Sequence, residues 1–334
     1  MRNTRDFLHK TAMDHVAKRI KSDRDLVGAY LIGSVLSDEP LIGGTTDIDL
    51  VIIHVGEPKV KREIIRVNDE VHLDVVHHGE SVYQQPRTLR AEAWLGTAIQ
   101  DHPVLLYDVR HWFEFTQASA GSQFYRPDHV LARARTLSDK ARSIWTELNE
   151  GRPIYVKKVR KFMEAVECAA NAAASLTGAP LTRRCFLLEF PDRCNEVGAS
   201  GLVTSLVNLL DLQNLTAENI SSMLPLWEKA FRSAGEQAET SPDLHPLRLG
   251  YYGKAIQAHL EDGEVLAAAY PMFYTWAKAV SYLYATSPEY IAWYETLKQL
   301  GLGKDQFPEK MQALDAYLDH VDEVLEDWAN NTGA

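Results

Sequence analysis

The chain has 334 residues, 46% of them hydrophobic and 24% charged, the balance of a globular protein long enough for two domains and not of a disordered one. Its net charge of −11 argues against a long nucleic acid as partner, because phosphate contacts supply most of that affinity and need a basic stripe. An acidic surface suits a cationic or neutral small molecule, or another protein.

Phe7, Leu8, Ala12, Val16 and Ile20 recur at helical spacing and predict an amphipathic helix over residues 5–22. After a polar break at residues 23–25, residues 26–32 read as a buried strand that ends at Gly33-Ser34. A loop rich in Gly, Pro and Thr runs from 38 to 46, and residues 47–53 form a second strand. Residues 64–67 and 71–76 flank a turn at Asn68-Asp69 and predict a hairpin. A helix over about 89–100 and an apolar run over 103–107 complete this unit, and residues 116–126, with Ser, Ala, Gly and Gln, read as a linker. From 127 onward, apolar residues at three- and four-residue spacing predict helices near 127–150, 153–177, 197–212, 217–234, 247–260, 263–286, 288–300 and 307–329. The most apolar stretch, 265–277, is too short to span a bilayer, is interrupted by Pro271 and is closed by Lys278, so it reads as a buried helix. The expected architecture is α+β, with an N-terminal domain over 1–115, a linker over 116–126 and an all-α helical domain over 127–334. Cys168, Cys185 and Cys194, odd in number and without a CxxC pair, speak against a disulfide framework or a zinc site. With a start that lacks the apolar core of a signal peptide, they fit a cytoplasmic protein.

The chemistry concentrates in the first domain. Asp47 and Asp49 stand two apart in a strand and project from one face, while Ile48, Leu50 and Ile52 face the core. Adjacent carboxylates repel, so their placement together calls for a neutralising charge. Mg²⁺, which takes oxygen ligands and often shares them with substrate phosphates, supplies one. Gly33 and Ser34 precede the pair by a loop; the glycine lets a phosphate approach the backbone, and the serine hydroxyl can bind it. Asp74 shares a face of the hairpin's second arm with His72 and Val76. An unpaired carboxylate is expensive to bury in an apolar strand, and a place beside Asp47 and Asp49 gives it a reason, as a metal ligand or as the base for an attacking hydroxyl.

Leu31-Ile32-Gly33-Ser34, then Asp47-Ile48-Asp49-Leu50-Val51, then a later strand Asp resembles the DNA polymerase β-like nucleotidyltransferase superfamily over about residues 26–76. The resemblance implies a mixed sheet flanked by helices, with two Mg²⁺ ions between three carboxylates and an NTP. It assigns the triphosphate to Gly33 and Ser34, metal to Asp47 and Asp49, and completion of the triad to Asp74. Many members carry a small residue, Arg and Gly soon after the Gly-Ser; here that region reads Val35-Leu36-Ser37-Asp38-Glu39-Pro40.

In the helical domain, Lys157, Lys158, Arg160 and Lys161 open a helix that continues through Met163, Val166 and Ala169. A solvated basic face is the default, but relatives that modify antibiotics use a basic residue of this domain on the triphosphate, which nominates Lys158 and Lys161. Glu164 and Glu167 on the same helix are alternatives to Asp74 as base. Arg183, Arg184, Tyr251, Tyr252 and Lys254 are looser candidates for adenine or phosphate contacts; His54, His72, His77 and His78 read as edge-strand polar residues ahead of a metal site or catalytic base, with His72 the exception because it shares a face with Asp74. The layout of catalytic then helical domain implies Mg²⁺-dependent transfer of a nucleotidyl group, AMP from ATP, onto a hydroxyl of a small molecule, as in aminoglycoside-like enzymes; the acidic charge suits a cationic acceptor. The alternatives are AMP transfer onto a protein, as in minimal nucleotidyltransferases paired with helical toxins, and a non-catalytic nucleotide-binding protein of the same fold. Neither nucleic acid nor membrane is expected as partner; the acceptor, the preferred NTP and the oligomeric state stay open.

Overall fold

A computed structural model of the chain, describing residues 3–109, 111–151, 153–237 and 241–334, divides into two units, Met1–Tyr125 and Arg126–Ala334. In the first, Thr4 caps helix α1 (Arg5–Ser22), its hydroxyl accepting from the Phe7 N–H at 3.3 Å. Leu8, Ala12 and Val16 make the buried stripe that the spacing predicts. The stripe packs on a sheet of β1 (Leu26–Ile32), β2 (Thr46–His54), β3 (Arg62–Arg66), β4 (Val71–Gly79) and β5 (Val104–Asp108), in the order β3-β4-β2-β1-β5. β2 and β4 are parallel and every other neighbouring pair is antiparallel, so the sheet is mixed.

Strand alternation sends Ile48, Leu50, Ile52, Leu73 and Val75 toward α1. The opposite face is covered as well. Tyr30, Val51 and Ile53 are buried there with Tyr83, Leu89, Ile99, Phe113 and Ala120, supplied in part by α2 (Leu95–Gln100) and α3 (Trp112–Gly121). β2 is therefore apolar in both sets of positions once past Asp49, as a strand covered on both faces must be.

The segment 116–126, expected as a linker, is helical over its first half. The Asp108 carboxylate at the end of β5 accepts from the Trp112 and Phe113 N–H groups at 3.0 and 2.9 Å and starts α3. Phe113, Thr116 and Ala120 then bury one side of that helix. Small residues there are close-packing positions, not linker residues, and the first unit extends to Tyr125.

The second unit is built from α4 (Pro127–Glu150), α5 (Tyr155–Ala174), α6 (Phe186–Glu196), α7 (Gly201–Leu209), α8 (Ala217–Gly235), α9 (Leu247–Glu261), α10 (Val265–Val280), α11 (Pro288–Gln299) and α12 (Phe307–Thr332). α5 is buried nearly throughout its second half and packs against α4, α6, α10 and α12. α10 is the expected buried apolar helix, and no helix among the described residues is long and apolar enough to cross a membrane. α6 lies outside the expected helices; it carries Pro191 inside it, and Phe186, Leu187, Phe190 and Cys194 bury one stripe of it. The fold class is α+β, a mixed-sheet unit followed by a helical one.

Candidate metal centre

The site lies where β2 and β4 start. Parallel pairing sets Asp49 opposite Asp74 and Asp47 opposite His72, so the carboxylates of Asp47, Asp49 and Asp74 share one face. Each offers a ligand oxygen within 4.8 Å of the others, the one such group among the described residues. Asp47 is 6% exposed and Asp74 1%, while Asp49 is half-buried. The two sequence signals, Asp-x-Asp and the distant Asp74, therefore meet across one strand pair.

Gly33 completes the enclosure. Pairing of β1 with β2 sets Ile32 opposite Asp49, and the chain then turns out of β1 at Gly33 with φ +77°. A Cβ at that position would be strained in the left-handed region and would collide with Asp49 Oδ2, so the turn requires glycine on both counts. Ser34 is exposed, with its hydroxyl 3.2 Å from that of Thr46, which ties the turn to the first residue of β2. The backbone of Gly33-Ser34 thus runs directly beside the acids.

Arg62 is the site residue that sequence reasoning missed. Its Nε donates to Asp74 Oδ1 at 2.7 Å and its terminal amino group to Oδ2 at 2.6 Å, a bidentate pair. The expected hairpin began at Ile64; β3 begins at Arg62, and its pairing with β4 sets Ile64 opposite Asp74, with Arg62 diagonal to it on the same face. The expected arms, 64–67 and 71–76, already leave three residues between them and carry the observed register, so the hairpin differs in starting two residues earlier. A two-residue turn at Asn68-Asp69 would set Glu63 opposite Asp74. The actual turn includes Glu70, because Asn68 Oδ1 accepts from the N–H groups of both Glu70 and Val71 at 2.8 Å. With the shorter turn the register would shift by one residue and the side chains of β3 would exchange faces.

Of the other candidates, His72 adjoins the triad, and the rest lie toward other parts of the sheet or in the second unit. His72 is buried beside Asp47. His54 and His77 contact each other at 2.9 Å toward the far end of β2 and β4, and His78 contacts Tyr83 Oη at 2.6 Å. In the second unit, Lys161 pairs with Glu147. Lys158 lies 5.9 Å from the centre of the Phe307 ring, on the wall of a cavity of about 630 Å³ that Trp145, Tyr155 and Lys304 also line. Glu164 pairs with Lys140 at 2.9 Å. Glu167 is held by Arg183 at 3.1 Å and Tyr270 at 3.3 Å, and burial pushes its carboxyl above the ordinary range. The Arg183 guanidinium stacks 3.9 Å over Tyr274 and that of Arg184 3.8 Å over Tyr251. Burial also raises the thiols, Cys168 and Cys185 to about 11 and Cys194 to about 12, which makes them poor thiolate ligands.

The chain matches no family model and no curated protein. Among solved structures it is similar to a nucleotidyltransferase-like protein from Exiguobacterium sibiricum 255-15, with 11% identity over 93% of this chain and 90% of that one, at a TM-score of 0.30. So loose a likeness carries no argument about chemistry, which rests on the geometry of the site.

Proposed function

We propose that the first unit catalyses metal-dependent transfer of a nucleotidyl group from an NTP onto a hydroxyl of a small molecule. The observation that carries this reading is the meeting of Asp47, Asp49 and Asp74 within 4.8 Å on parallel neighbouring strands, beside a turn whose left-handed backbone favours glycine. The donor set fits the ion: three hard carboxylate oxygens suit Mg²⁺ or Mn²⁺, and their mutual repulsion in a buried place favours a cation among them. Such an ion supplies Lewis acidity at the transferred phosphate and offsets the charge of the leaving pyrophosphate.

The chain's own residues do the rest. Asp47 and Asp49 hold the ion, and Asp74 completes the triad as a ligand or as the base for the attacking hydroxyl. The exposed Gly33-Ser34 turn receives the triphosphate on its backbone and the Ser34 hydroxyl. From the helical unit, Lys158 and Lys161 are assigned to the triphosphate; Lys161 has to leave Glu147 to serve there. ATP is the proposed donor and AMP the transferred group. The net charge of −11 supports a cationic acceptor of aminoglycoside type over a nucleic acid.

The test is to incubate the full chain with each labelled NTP, Mg²⁺ and a panel of hydroxylated acceptors, cationic ones included, and to follow pyrophosphate release. Release that needs Mg²⁺ and an acceptor supports the reading. No release with any NTP, from a protein that also binds no divalent ion, overturns it.

A further inference from the structure

The arginine on the triad has a consequence for how many ions the site takes. We propose that Arg62 serves as a built-in cation on the Asp74 side, so that the nucleotide-free protein takes up one divalent ion, through Asp47 and Asp49, instead of two. The inference rests on the metal-dependent reading above and concerns a residue outside the acidic motif.

Three observations carry it. First, the contact is bidentate: Arg62 reaches both Asp74 oxygens, at 2.7 and 2.6 Å. An ionised carboxylate offers about four lone-pair positions, and the guanidinium fork takes one on each oxygen. Second, the pair is anchored. Asp74 is 1% exposed and Arg62 34%, on adjacent strands whose register holds the two side chains diagonal to each other. The Arg66–Asp69 pair in the same hairpin, at 61% and 84% exposure, has no such support. Third, the guanidinium keeps its charge at any working pH. A second divalent ion at Asp74 must sit beside that charge or displace a guanidinium held by two short hydrogen bonds.

Bound NTP changes the balance. Its phosphates offer the guanidinium another bidentate acceptor, and they add the negative charge that a second ion needs. Arg62 is thus a positioning residue that couples uptake of the second ion to arrival of the nucleotide.

The experiment is a Mn²⁺ titration of the full chain without nucleotide, read by calorimetry and by the EPR signal of free Mn²⁺. Wild type is expected to bind one Mn²⁺ per chain. Arg62→Gln is expected to bind a second, or to bind the first at least about tenfold more tightly, since removing a unit charge a few ångströms from a dication is worth that much even at the dielectric of water. Arg62→Lys, which keeps a charge but not the fork, should stay with one ion and guards against misfolding of the Gln variant. Asp49→Asn is expected to lose the wild-type site. Two ions on wild type, or an Arg62→Gln profile identical to wild type, overturns the inference while leaving the metal-dependent reading in place. Failure of every protein to bind Mn²⁺ overturns both.

Discussion

Buried carboxylates in the two units keep different company. In the helical unit each faces a cation on another element: Glu167 faces Arg183, and Asp243 faces Lys278 and Arg183. In the sheet unit Asp47, Asp49 and Asp74 crowd within 4.8 Å of one another, with the Arg62 fork on Asp74. The first arrangement fastens helices together. The second gathers three carboxylates at one place on a strand pair, beside a single guanidinium on Asp74. An acid pressed against acids is therefore a better sign of chemistry than burial itself, since burial is common to both units.

That contrast can be broken by substitution. The largest effect is expected at the triad, where Asp49→Asn should lower turnover by at least about 10²–10³-fold, as loss of a charge-stabilising group at a reacting centre does, with the melting temperature barely moved. Steady-state pyrophosphate release and thermal denaturation on one preparation decide it, and a variant that melts early but turns over normally would make Asp49 a structural acid like Glu167.

The converse substitution is Arg183→Met. It strands Glu167 and should cost about 3 kcal/mol, the lower end for an uncompensated buried charge, because Glu167 can take up a proton. Across a unit the size of Arg126–Ala334 that is a fall of about 6–12 °C in melting temperature, with Mn²⁺ binding unchanged. Altered Mn²⁺ stoichiometry in this variant would blur the distinction between the two kinds of acid.

Gly33→Ala tests the turn that closes the site. It forces a side chain into the left-handed region against Asp49, which should cost about 1–3 kcal/mol and weaken NTP binding together with stability. Gly198, also at positive φ but with open space around it, is the control; Gly198→Ala should lose stability alone.

The smallest effect expected is on pH dependence. His78 Nδ1 lies 2.6 Å from Tyr83 Oη, which lies 2.7 Å from Tyr30 Oη, and burial raises both phenols, so the two tyrosines stay protonated and share a hydrogen-bonded chain with the imidazole. Burial and Lys61 hold the His78 pKa below its ordinary 6.5. A depressed folded-state value means the contribution is whole above about pH 6.5 and is lost as pH falls through the lower folded value. Burial likewise depresses His15 and His77 in the same unit. Melting temperature should therefore decline from pH 7 to pH 5, less steeply in His78→Gln. An equal slope in the variant would place the acid sensitivity elsewhere, with His245 and His259 of the helical unit next to examine, since burial depresses both.

Much of this was legible in the order of residues. Period-two alternation put Asp47 and Asp49 on one face and Ile48, Leu50 and Ile52 on the other, and period-3.6 stripes marked α1 and most of the helical unit. Those signals are local, and local geometry decides them. The same rules passed over α6, which carries a proline, and misread α3, where a run of small residues looks like punctuation until neighbouring side chains bury one face.

Asp74 and Arg62 mark the boundary between what residue order and tertiary structure decide. An acid alone in an apolar strand already announced that Asp74 needed company, because the cost of burying a bare carboxylate does not depend on the fold. Which company it has was decided by pairing: β4 lies parallel to β2 with Asp74 opposite Asp49, and one extra turn residue, held by the Asn68 side chain, brings Arg62 to Asp74 where a shorter turn would bring Glu63. A strand carries its face pattern in its sequence, but its partner and register are set by contacts between residues far apart in the chain, and a slip of one residue exchanges an arginine for an acid.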